Sequence, residues 1–148
     1  MIILLALTPW ILRGRLHQLT SKDLDAARAL WHQSAVTDYD LDVEVSGAQS
    51  GRYAIEVRGG KLRRITRDGE PANPADGDYW TVEGLFRTIE QELYLAQSGT
   101  DAMQLPSGAQ IVLLGRFDLT MGYPIDYVRQ VTGASQSVRI HVHGLVPR

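Results

Sequence analysis

The chain has 148 residues, 44% of them hydrophobic and 22% charged, with a net charge of −2, which describes one ordinary globular domain able to bury a core without staples. That balance lacks the basic excess that draws a protein to nucleic acid. The absence of cysteine excludes disulfides, thiolate metal sites, iron–sulfur clusters and a cysteine nucleophile.

The chain opens on a nearly continuous apolar run, residues 1–12, followed by Arg13 and Arg15. It falls short of the roughly 20 apolar residues that cross a bilayer. Three readings fit it: the end of a membrane anchor that starts upstream, a short interfacial segment, or a buried strand or helix. The first is the expectation for residues 1–16, with Trp10, Arg13 and Arg15 at the membrane interface. The arginines after the apolar run favour a cytoplasmic domain by the positive-inside rule.

Thr20 opens a helix in which Asp23 completes a capping-box pattern, and Leu24, Ala27 and Trp31 share its apolar face, Trp31 as core. The helix is expected to end near Ser34. From Tyr39 to Val45 apolar and acidic residues alternate, which predicts a strand with one wet face. A second strand carries Tyr53, Ile55 and Val57 inward, Gly59-Gly60 makes a tight turn, and a third strand runs from Lys61 to Arg67 with a bulge at Arg63-Arg64. A loop follows. Thr81 then caps a second helix, whose Val82, Leu85, Phe86, Ile89 and Leu93 form an apolar stripe. Three strands close the chain, at Ala109–Phe117, Pro124–Val131 and Ser137–His143.

The pattern predicts an α+β fold: two helices packed on one face of an antiparallel sheet of about six strands, in the order αβββαβββ. Residues 17–144 form its single domain. Leu145-Val146-Pro147-Arg148 matches the string left by a protease-cleavable tag and is set aside as a tail of either native or tag origin.

Candidate chemistry is sparse. His141 and His143 stand on one face of a strand, about 7 Å apart along it, a spacing that suits an imidazole-preferring metal given a third ligand such as Asp126; the plain alternative is ordinary strand surface. Asp38, Asp40, Asp42 and Glu44 form an acidic row, but a straight strand does not wrap a calcium ion. Cross-strand pairs with Arg52, Arg58, Lys61, Arg63, Arg64 and Arg67 explain the row without a ligand. Those arginines could also meet anionic headgroups near a membrane. No nucleophile elbow and no phosphate-binding loop is present, so no cofactor is expected. Tyr79 and Trp80, just before the second helix, read as a hydrophobic staple rather than a binding site. In the segment from Arg116 to Pro124, Gly122 turns the chain, Tyr123 packs beside the turn and Pro124 starts a strand; with Asp118 they read as a structural hairpin.

Four phrases carry a resemblance: Ala26–Trp31 ahead of the Tyr39 strand, Val57–Leu62, Thr81–Ile89, and Phe117-Asp118 with Gly122-Tyr123-Pro124. Together they resemble a family of small bacterial domains of unknown function, found behind a signal peptide, a lipoprotein signal or a membrane anchor. The resemblance runs from about Leu24 to Val142. It implies an anchored domain on the extracytoplasmic face of the cell envelope, against the positive-inside hint. It brings no catalytic residues. Relatives carry cysteines in the early strands, and this chain has none, so no disulfide transfers. The expected function is a membrane-tethered, non-enzymatic domain that binds a protein partner, with no nucleic acid. The alternative is a small-ligand or metal-binding module on the His141/His143 face.

Overall fold

A computed structural model describes residues 15–47, 50–98, 105, 108–133 and 137–148. The expected anchor, with Trp10 and Arg13, lies outside the described residues; Arg15 is described and exposed. Among the described residues no helix is long and apolar enough to cross a membrane.

The elements are β1 (His17–Gln18), α1 (Ser21–Ser34), β2 (Tyr39–Ser46), β3 (Gly51–Arg58), β4 (Lys61–Arg67), β5 (Glu70–Pro71), α2 (Val82–Ser98), β6 (Ile111–Phe117), β7 (Pro124–Val131) and β8 (Ser137–Pro147). Two short 3₁₀ turns, Pro74–Asp76 and Asp78–Trp80, lead into α2. Among the described residues all strand pairs are antiparallel, in one eight-stranded sheet of order β1-β6-β7-β8-β2-β3-β4-β5. This corrects the expected six-stranded sheet and its αβββαβββ order. The two additional strands are two residues long and sit at the sheet's edges. Two residues cannot display an alternation, so a pattern reading passes over them. Pro71 fits there because an edge strand can spare its missing N–H.

A second difference concerns the tail. Leu145, Val146 and Pro147 continue β8 and pair with Leu41, Asp40 and Tyr39. Arg148 adds a backbone bond to the Asp38 carbonyl. The expected bulge in β4 is present: Glu56 faces Arg64 and Val57 faces Leu62, leaving Arg63 as the extra residue.

One core joins the helices to a single sheet face. Tyr39, Leu41, Val43 and Val45 of β2 and Ile55 and Val57 of β3 meet Leu24 and Trp31 of α1 and Val82, Leu85, Phe86 and Ile89 of α2. Each of these side chains contributes about 1.5–3 kcal/mol when removed from water. The capping box of α1 is complete: Asp23 N–H donates to Thr20 Oγ1 and Thr20 N–H to Asp23 Oδ2. For α2, Gly84 N–H donates to Thr81 Oγ1 at 3.0 Å and Val82 N–H to the Tyr39 hydroxyl at 3.1 Å. The second bond ties the start of α2 to the sheet.

Two glycines set close approaches. A Cβ at Gly84 would strike the Asp78 carbonyl oxygen and lie 2.7 Å from that of Tyr79, so this helical glycine lets the 3₁₀ turn fold back onto α2. Gly122, at φ +83°, lies in the β6–β7 hairpin against α1. The turn is held by Asp118, whose N–H donates to the Tyr123 carbonyl and whose carboxylate accepts from the N–H groups of Thr120 and Met121. Pro124 is the first residue of β7.

Candidate functional site

The outer face of the sheet holds the charged residues that the alternation points outward. Asp42 accepts a two-pronged bond from Arg52 at 2.9 and 2.7 Å, and Asp40 pairs with Arg58 at 2.9 Å. Arg52 holds the Asp42 carboxyl below its usual range, and Arg58 does the same for Asp40. Arg52 and Arg58 thus meet the row as cross-strand pairing requires, whereas Glu44 meets His143, Asp38 accepts from Gly59 N–H, and Arg64 and Arg67 turn to Glu56 and the Ser50 carbonyl.

His141 and His143 share this face, with their rings edge to face at 4.7 Å. Each meets a carboxylate: His141 Nδ1 lies 2.7 Å from Asp126 Oδ1, and His143 Nε2 lies 2.5 Å from Glu44 Oε2. Asp126 and His141 come together because they are register partners of β7 and β8, a pairing no local spacing reveals. Among the described residues no group of three or more His, Cys, Asp or Glu is placed to hold a metal ion.

Asp126 is the buried hub of the face, with its side chain 5% exposed. Burial raises its pKa, but hydrogen bonds from Arg116, His141 and Arg139 outweigh that and leave the carboxyl below its ordinary range. A carboxyl that titrates lower in the fold than in the unfolded chain gives its full stabilisation above the unfolded value of about 3.9. That stabilisation is lost as pH falls through the lower folded value. Asp126→Asn is therefore expected to cost about 1–3 kcal/mol at neutral pH and to flatten the acid limb below pH about 4. Urea unfolding from neutral to acid pH measures both; an unchanged acid limb would assign it to other carboxylates.

The helix side of the sheet holds a different site. Between α2, the Asp78–Trp80 turn and strands β3, β7 and β8 lies a cleft of about 640 Å³, within the range of small-molecule sites. One wall is aromatic: Trp80 stacks on Tyr53 at 5.0 Å between ring centroids, and the Arg67 guanidinium lies 5.8 Å from the Tyr53 ring centre. Val138 and Ile140 line it from β8. The polar part comes from Glu92 of α2 and Tyr127 and Arg129 of β7. Arg129 Nη1 donates to Glu92 Oε1 at 2.9 Å, with the two side chains 23% and 18% exposed.

This polar group is incompletely bonded. Glu92 Oε2, Arg129 Nε and the Tyr127 hydroxyl are buried with no hydrogen-bond partner among the described residues. Each such atom carries a desolvation penalty of about 1–3 kcal/mol. Tyr127 is 3% exposed. Burial pushes its phenol far above the ordinary value, Glu92 pushes it further and Arg129 pulls it back. All three side chains therefore act on one another at the cleft.

A model of a family of unknown function, DUF6174, matches residues 23–100, just over half of the 148-residue chain. The chain belongs to this family. No curated protein and no solved structure matches it. The DUF6174 segment runs from α1 to the end of α2, so it contains Tyr53, Trp80 and Glu92 of the cleft, whereas Tyr127 and Arg129 follow it. The Phe117–Pro124 hairpin also lies beyond the DUF6174 segment.

Sequence reasoning missed this cleft. Trp80, expected as a staple, also stacks on Tyr53. Glu92 and Arg129 are ordinary charges until α2 is laid across β7. The available signal was the inward phase of Arg129: it follows Tyr127 by two residues in a strand, so it shares the core-facing side.

Proposed function

We propose that this member of the DUF6174 family is a membrane-tethered domain of the bacterial cell envelope that binds and does not catalyse, with its ligand held in the helix–sheet cleft. The observation that carries this reading is the cleft of about 640 Å³ itself, with the Trp80–Tyr53 stack as one wall and the Glu92–Arg129 pair beside it. Catalysis is not favoured, because Glu92 and Arg129 neutralise one another and Thr88, the aliphatic hydroxyl among the lining residues, donates to the Gly84 carbonyl. The tether rests on the apolar residues 1–12. Tyr79, 65% exposed beside the cleft, favours a protein as the second reading, since exposed tyrosine is a frequent anchor of interfaces.

A fragment screen by protein-observed NMR tests the site, and deletion of Met1–Arg15 tests the tether. Hits are expected to move the Trp80 indole N–H and the amides around Tyr127. Hits confined to the outer face, around Asp126 and His141, would overturn the cleft as the site. The shortened chain is expected in the soluble fraction; continued sedimentation with membranes would overturn the tether.

A further inference from the structure

The chemistry of the cleft that solvent can reach lies at its rim, on Arg67, Tyr79 and Trp80. Tyr53 and Arg67 are register partners of β3 and β4. Trp80 and the Arg67 guanidinium both lie against the Tyr53 ring, at 5.0 and 5.8 Å from its centre, so an aromatic face and a cation share one surface. Arg67 is half exposed. Among the described residues its one hydrogen bond runs from Nη2 to the Ser50 carbonyl at 2.7 Å. That bond and the Tyr53 ring hold the guanidinium in place, while its other N–H groups can meet a ligand oxygen. The charged residues that line the cleft are Arg67, Arg129 and Glu92. Arg129 and Glu92 neutralise one another at 2.9 Å, so Arg67 carries an excess of one positive charge. Two carboxylates stand close by. Asp78 is taken by Arg87 at 2.7 Å. Asp68 Oδ2 is 3.9 Å from Arg67 Nε, too far for a hydrogen bond, and lines the groove on the outer face rather than the cleft.

We infer that the cleft recognises a small aromatic carboxylate, its charged end on Arg67 and its ring beside Trp80. This rests on the cleft being the binding site. The planar guanidinium fork fits a carboxylate, and one unpaired cation matches a single negative charge rather than the two of a phosphate. An aromatic ring gains offset stacking on a tryptophan that an aliphatic chain does not. Because Arg67 stands half in water, its pairing with the ligand is screened and sets preference rather than bulk affinity.

The test is a titration of the full ¹⁵N-labelled chain at neutral pH with the carboxylate, amide and aminomethyl derivatives of naphthalene, read at the Trp80 indole N–H. The carboxylate is expected to bind about two- to fivefold more tightly than the amide, and the aminomethyl probe most weakly. Salt at about 0.5 M should remove most of the carboxylate's advantage and leave the amide unchanged. Arg67→Gln should make carboxylate and amide bind alike, and it should move the melting temperature by no more than about 2 °C, since Arg67 is half exposed. Equal or tighter binding of the amide or the aminomethyl probe at Trp80 would overturn the carboxylate assignment and leave the cleft standing. A carboxylate preference that survives Arg67→Gln would overturn Arg67 as its partner. Silence at Trp80 with all three probes would overturn the inference as well, and the fragment screen would then decide the cleft by itself.

Discussion

Gly122→Ala is expected to lower the stability of the fold by about 2–5 kcal/mol, the sum of a left-handed backbone penalty and an overpacking penalty. At this chain length the loss corresponds to a fall of about 4–20 °C in melting temperature. Gly122 has φ +83°, and its added Cβ would be driven into the Ala27 carbonyl oxygen, with Leu30 Cβ at 2.8 Å and Trp31 N at 3.0 Å. These are backbone and helix-surface atoms of α1, which cannot swing aside as a flexible side-chain end can. Gly69 supplies the control: its φ is +84°, and a Cβ there meets nothing within 4 Å. Gly69→Ala should cost only the backbone share, about 1–2 kcal/mol. Urea unfolding of both variants separates the two effects. Equal losses would show that the hairpin does not pack tightly on α1.

Arg129→Met is the second large effect, expected to cost about 2–4 kcal/mol, because it leaves the Glu92 carboxylate buried without its cation. Glu92→Leu with Arg129→Met in one chain should restore most of that loss, since an apolar pair avoids the cost of desolvating two ions. The double-mutant cycle should give a coupling of about 2 kcal/mol or more. Both chains should lose binding at the cleft. A double variant as unstable as Arg129→Met alone would make the pair a structural necessity. Restored stability with lost binding would separate function from folding at this site.

Much of the fold is legible in the sequence because it rests on local periodicity. The capping box at Thr20, the stripe on α2, the acidic alternation of β2 and the bulge at Arg63 are each written within a few residues. The two edge strands are not, because they are defined by the backbone of β6 and β4 rather than by their own side chains. Leu145–Pro147 carry an unremarkable string, and only pairing with β2 makes them sheet. The candidate site is the least legible part. Tyr53, Trp80, Glu92 and Arg129 come from β3, a 3₁₀ turn, α2 and β7, and their convergence follows from how α2 crosses the sheet. The hairpin at Gly122 shows the opposite case: its turn chemistry was readable, but the reason for its glycine is a contact with a helix some ninety residues earlier.

The strand order also governs when this protein can fold. β8, the last strand in chain order among the described residues, lies in the middle of the sheet between β7 and β2. Without it, β2 to β5 and the β1-β6-β7 group are two separate ribbons, each with an unpaired edge. Asp40 meets Val146 across more than a hundred residues of chain, a loop closure that slows folding compared with local pairing. Closure of the sheet therefore waits on its longest-range pairing, β8 with β2, however early the two ribbons form.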